Sequence, residues 1–312
     1  MPVETSLRPE AVETHLMLGA IWRNRTVPQV VCLHRGSELF PQDSCSLATH
    51  CRMDEHYRMS LPLLAAASLS LGLGDISKSF DGREGALVLI DCTSGESRRF
   101  NPDLWATKLP PCSTFKIWNT AIGLETGLLT DADQPFWKWD GVERSIQPWN
   151  QDLTLRQAYA ASCVPGYQAL ACEIGSARMN EWLKRLDYGD LNTSSGIDVF
   201  WLPAPGRVSL LISADEQAAL MKRLVAGDVP FSPKTFAALK DIMLAKTMDH
   251  CRIYGKTGTS GAVEAGRKET GWFVSYVVSG KTTLAFACVL TGKMAAGREA
   301  RALVEKLFAD WR

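Results

Sequence analysis

A chain of 312 residues with 46% hydrophobic side chains can bury a substantial core, which excludes general disorder. Its 34 basic residues are balanced by 34 acidic ones with no long run of one sign, so no net field recruits nucleic acid or an anionic membrane, and a small molecule is the expected partner. Nine cysteines, an odd set without a Cys-x-x-Cys pair, argue against a disulfide scaffold and a ribbon-type zinc site. Cys32, His34, Cys45, His50 and Cys51 crowd together but fit no ligand spacing, so no metal is expected.

Residues 1–58 read as an N-terminal extension without an assigned role. Residues 59–74 carry no charge and follow Arg58, the arrangement of a secretory signal with a basic n-region and an apolar h-region. Sixteen residues span about 24 Å as a helix, short of the ~30 Å hydrocarbon core, so cleavage after export is expected rather than a stable membrane anchor. Signals open a chain, so translation is expected to start at Met53 or Met59, giving a periplasmic or secreted domain. The alternative is a helix packed on that domain.

Residues 75–312 have the texture of one compact domain. Gly85–Asp91 is a short apolar run expected to form a buried strand, and the charged Ser97–Phe100 follows it after a turn. Two prolines then precede a helix expected from about Ser113 to Gly127. Further on, residues 271–278 and 282–290 flank a turn of hairpin length at Ser279-Gly280-Lys281. In the final segment, 295–312, Leu303, Val304, Leu307, Phe308 and Trp311 recur at helical spacing and should lay one apolar face on the sheet. Strands at both ends with a helical middle predict an α/β (α+β) fold: an antiparallel sheet flanked by helices, with an inserted helical lobe and a cleft between them.

Ser113 and Lys116 stand three apart at the start of the expected helix, which places both side chains on one face, within reach of each other. A serine hydroxyl needs a base before it attacks, and histidine is the usual one. Four of the five histidines precede residue 75 and only His250 follows, so lysine becomes the leading base. Taken alone, the pair also fits an N-cap serine beside a solvated lysine.

Three more elements follow in order: Ser162-Cys163-Val164, Tyr188-Gly189-Asp190 and Lys256-Thr257-Gly258, the last where an edge strand would line the cleft. With Gly196–Trp201, this set makes the chain from about residue 80 to 312 resemble the class D, oxacillinase-type serine beta-lactamases. The resemblance implies the serine beta-lactamase/transpeptidase fold and hydrolysis of the amide bond of penicillin-type antibiotics. Ser113 would be acylated, Lys116 would act as a base in its N6-carboxylated form, and Ser162 would shuttle protons near the leaving nitrogen. Carbon dioxide or bicarbonate would carboxylate the lysine, with no other cofactor.

An ordinary lysine, with a pKa of ~10.4, stays cationic, so burial must lower it. Phe115 and Val164 would supply apolar walls, and the Trp201 indole N–H would hold a carbamate oxygen. Backbone N–H groups of Ser113 and Thr259 would face the oxyanion, while Lys256, Thr257 and Arg298, beside Gly258, would receive the substrate carboxylate. Two departures stand out. Asp190 occupies a position where the family usually has asparagine, adding negative charge near an anionic substrate. Cys112 precedes the expected nucleophile and Cys163 separates Ser162 from Val164; both are expected to be inert core residues, with an oxidation-sensitive thiol as the alternative. Two other outcomes remain open, a beta-lactam sensor acylated without turnover and a cell-wall DD-peptidase.

N-terminal sequencing of the exported protein tests the leader: a mature start near Asp75 is expected, and a start at Met1 contradicts it.

Overall fold

A computed structural model describes residues 75–207, 210–261, 268–309 and 311. The extension at 1–58, with its Cys and His group, and the leader expected at 59–74 lie outside them. Among the described residues no helix is long and apolar enough to cross a membrane.

The described residues open with α1 (Ile76–Phe80), then β1 (Gly85–Asp91), β2 (Ser97–Phe100) and α2 (Pro102–Trp105). A lobe of helices follows: α3 (Lys116–Glu125), α4 (Leu155–Ala160), α5 (Val164–Ile174), α6 (Ser176–Leu186), α7 (Ala214–Ala226) and α8 (Pro233–Met243). Within it, β3 (Pro135–Trp137) and β4 (Leu153–Thr154) form a small pair. The chain then returns to the main sheet as β5 (Leu244–Thr247), β6 (Arg252–Thr259), β7 (Thr270–Ser279) and β8 (Thr282–Thr291), and ends in α9 (Gly297–Ala309). The six-stranded sheet runs β2-β1-β8-β7-β6-β5, antiparallel throughout.

The continuous apolar character of β1 follows from burial on both faces. Ala86, Val88 and Ile90 face the core shared with the helical lobe, while Leu87 and Leu89 face the core under α1 and α9. β7 divides the same way, with Trp272, Val274 and Tyr276 toward the lobe and Phe273 and Val277 toward α9. On α9, Leu303, Val304 and Phe308 are buried against the sheet, and Trp311 folds back on Phe308 with ring centroids 5.2 Å apart. The expected hairpin is present, tightened to a two-residue turn by the pairing of Ser279 with Thr282, with Gly280 at a φ of +56°.

Two expectations are corrected. The helix predicted from Ser113 begins as a 3₁₀ turn, Cys112–Phe115, and becomes α-helical at Lys116. The Pro110-Pro111 pair withholds two backbone donors, and Cys112 at a φ of +53° breaks the helical run just ahead of the serine. The Lys-Thr-Gly strand is an edge for only part of its length, since β5 pairs with Arg252, Ile253 and Tyr254. From Gly255 to Thr259 no described strand covers its outer side, and this stretch carries Lys256, Thr257 and Gly258.

Candidate active site

The turn that presents Ser113 is tied from several directions. Trp272 Nε1 donates to the Pro110 carbonyl at 2.9 Å, and Thr114 Oγ1 donates to the Pro111 carbonyl at 2.7 Å. Leu109 exchanges two backbone bonds of 2.9 Å with Ile212. A Cβ on Gly258 would lie 2.9 Å from the Pro111 oxygen, so β6 approaches the serine turn this closely only because that residue lacks a side chain. Glycine 297, at the start of α9, is needed for the same reason: its Cβ would stand 2.6 Å from the Gly258 oxygen.

Lys116 Nζ lies 3.0 Å from Ser113 Oγ, with the lysine fully buried and the serine half-buried. Burial foremost, and the nearby Lys256 cation next, push the Lys116 amine well below its ordinary pKa of 10.5. The surroundings are aromatic. Tyr167 presents its ring 5.1 Å from the amine, and Phe115 stacks on Trp201 at 5.6 Å and meets Phe200 edge-on at 5.0 Å. Asn119 Nδ2 donates to the Tyr167 carbonyl, and Thr120 shares a 2.8 Å hydrogen bond with the Tyr167 hydroxyl, so α3 and α5 are locked together beside the lysine. Val164 opens α5, half-buried. Two buried polar atoms in the predicted set, Trp201 Nε1 and Ser162 Oγ, have no hydrogen-bond partner among the described residues.

Lys256 is also buried, its ammonium 5.6 Å from the centre of the Tyr159 ring and 3.2 Å from the Thr257 carbonyl. Burial, with a smaller push from Arg301, lowers its pKa to about 7. Thr259 Oγ1 accepts from the Gly297 N–H at 2.9 Å, tying the end of β6 to α9.

The structure thus brings Ser113, Lys116, Lys256 and Gly258 together. Arg298 stands apart from them: its side chain is 81% exposed and its guanidinium donates to Glu299 at 3.2 Å. The cation that does line a cavity with Lys256 and Thr257 is Arg301, one helical turn later, in a space of about 170 Å³. Glu305 and the Ala245 carbonyl, both at 2.6 Å, hold it there. Asp190 turns out to be a backbone clasp: one oxygen accepts from the N–H groups of Leu211 at 3.0 Å and Asn192 at 3.1 Å. Its charge is therefore engaged by the peptide groups of the Leu211 segment. Cys112 and Cys163 are buried, and burial raises both thiols, that of Cys112 to about 12, which suppresses the reactive thiolate.

A family model for the penicillin binding protein transpeptidase domain matches residues 83–309. The probable beta-lactamase YbxI of Bacillus subtilis (strain 168) is 35% identical over 209 residues, covering 67% of this chain and 75% of that protein. A solved class D beta-lactamase from Bacillus subtilis superposes with a TM-score of 0.70 at 31% identity, covering 78% of this chain and 98% of the other. The C-terminal domain of the Bacillus licheniformis BlaR penicillin-receptor superposes with a TM-score of 0.68 at 29% identity, covering 75% and 94%.

Fold and site together define a penicillin-recognising serine protein. The chain belongs to the penicillin binding protein transpeptidase family and, within it, to the class D serine beta-lactamases. It is a hydrolase acting on beta-lactams.

A buried amine with a lowered pKa costs stability fully below that pKa, and the cost fades as pH rises toward 10.5, where the unfolded lysine also loses its proton. Lys116→Met should therefore abolish turnover yet raise the melting temperature by about 2–4 °C at pH 6–7 in carbon dioxide-depleted buffer. The difference should shrink in alkaline buffer. Thermal melts across pH check this, and a variant less stable than the parent at every pH would contradict it.

Proposed function

We propose that this protein hydrolyses penicillin-type beta-lactams through an acyl-enzyme on Ser113. The observation that carries the reading is the 3.0 Å contact between a fully buried lysine amine and a half-buried serine hydroxyl. The Ser113 oxygen attacks the lactam carbonyl as Lys116 takes its proton. The C–N bond of the ring then breaks, and Ser162 relays to the departing nitrogen the proton that Lys116 took from Ser113, so Ser162 is again a hydroxyl and Lys116 again a base. Water, activated from the Lys116 side, releases the acyl group and restores Ser113. Backbone N–H groups of Ser113 and Thr259 meet the oxygen that becomes negative. Lys256 and Thr257 receive the substrate carboxylate, with Arg298 exchanging Glu299 for it.

The residues around Lys116 fit its N6-carboxylation. Burial lowers the amine's pKa and so favours the uncharged form that reaction with carbon dioxide requires, and the indole N–H of Trp201 and hydroxyl of Ser162, buried without a hydrogen-bond partner among the described residues, are donors suited to hold a carboxyl group. When in place, that group supplies an anionic oxygen as general base. Val164, apolar at the start of α5, supports the hydrolase over an acylated receptor, because a polar group there would favour the charged lysine. The periplasm or the cell exterior is the fitting site of action, given the apolar segment at 59–74 that precedes the domain.

Mixing the pure protein with a chromogenic cephalosporin should give sustained turnover, abolished in Ser113→Ala. A single stoichiometric burst would instead identify an acylated sensor or a transpeptidase. Added bicarbonate should raise activity and mild acid should lower it, since protonation releases carbon dioxide. Indifference to both would mean that Lys116 works uncarboxylated.

A further inference from the structure

Ser162 lies in the break between α4 and α5 with a φ of +55°, a left-handed conformation that a side-chain-bearing residue keeps only where its surroundings impose it. Its buried hydroxyl has no hydrogen-bond partner among the described residues, so the direction of that hydroxyl is set by the backbone rather than by a bond of its own. Two main-chain bonds close the break: the Ser162 N–H to the Tyr159 carbonyl at 3.1 Å, and the Cys163 N–H to the Ala158 carbonyl at 2.8 Å. The peptide directly ahead of Ser162 is held from another segment altogether. The Ala161 carbonyl accepts from Trp149 Nε1 at 2.9 Å.

Trp149 is itself held. Its own carbonyl accepts from Trp137 Nε1 at 2.9 Å, so two indole N–H groups in series connect the break to β3. Both rings pack on Leu153, Ala158 and Cys163, the last being the residue after Ser162. The loop between them is tied to the residues just after Trp149: Asp152 Oδ1 accepts from the Trp139 N–H at 2.8 Å, and Arg144 and Asn150 exchange two bonds of 2.9 Å.

We infer that Trp149 is a positioning residue for the proton transfer: by holding the Ala161–Ser162 peptide, with Trp137 behind it, it fixes the left-handed turn that aims the Ser162 hydroxyl. The inference rests on the proton-transfer role given to Ser162 above. It assigns Trp149 no contact with the substrate.

Trp149→Phe keeps a ring and removes the N–H. Its acylation rate should fall between about 10-fold and 100-fold, because small misplacement of a proton donor is costly, while KM changes by less than about 3-fold. The melting temperature should stay near that of the parent, since one neutral hydrogen bond is a small part of the total stability. In a Ser162→Ala background the same substitution should cause no further loss, because a residue acting only through Ser162 has nothing left to position. An equal further loss in that background overturns the inference in favour of a substrate contact or a general structural role. An unchanged rate in the single variant overturns it as well. Trp137→Phe, one bond further out, should show a smaller loss that also vanishes with Ser162→Ala, and it carries the same comparison if Trp149→Phe does not fold. Parental acylation by Ser162→Ala alone would remove the role of Ser162 and this inference with it, a failure distinguishable from that of Trp149.

Discussion

The burial of one amine beside one hydroxyl is the constraint on which the rest of this structure depends. A lysine taken fully out of water loses its favourable hydration, and among the described residues its amine meets the Ser113 hydroxyl and the Tyr167 ring rather than a carboxylate. Such a group is stabilised best by shedding its proton, and a neutral amine is what general-base chemistry and reaction with carbon dioxide both require. The second buried lysine, Lys256, reinforces this, since a like charge nearby disfavours protonation of the first. The site spends stability on reactivity, and the two cores that sandwich the sheet supply it.

The scaffold serves this placement in a physically specific way. α3 is buried along most of its length, from Lys116 to Gly123, so Lys116 enters the interior from the first turn of the helix. Ser113 alone of the 3₁₀ turn ahead of α3 stays half-buried, while Cys112, Thr114 and Phe115 are buried. Glycine 258 and Gly297 let β6, α9 and that turn meet at backbone distance, which leaves the uncovered edge of β6 facing the serine. The sheet therefore contributes a strand edge, and the lobe contributes the buried base.

Much of this was legible in the sequence where the signal is local. The apolar runs of β1, β7 and β8, the helical spacing in α9 and the Ser113, Lys116 pair all depend on residues a few positions apart. The near absence of histidine after residue 75 directed attention to lysine by elimination. What escaped was decided by contacts between distant segments. The outward stance of Arg298 goes with its bond to Glu299, and Arg301 is held by Glu305 and by the Ala245 carbonyl of β5. Asp190 read as a charge beside substrate, yet the Leu211 backbone claims it. The bond from Trp149 to Ala161 joins two loops whose proximity no periodicity announces.

The most direct test of the central claim is an NMR titration of the Lys116 side chain in carbon dioxide-free buffer, using protein with isotope-labelled lysine and the exposed lysines as internal standards. Lys116 should lose its proton well below the ordinary lysine value of 10.5. Titration together with the exposed lysines would contradict it, because a permanently charged Lys116 could neither take the serine proton nor capture carbon dioxide.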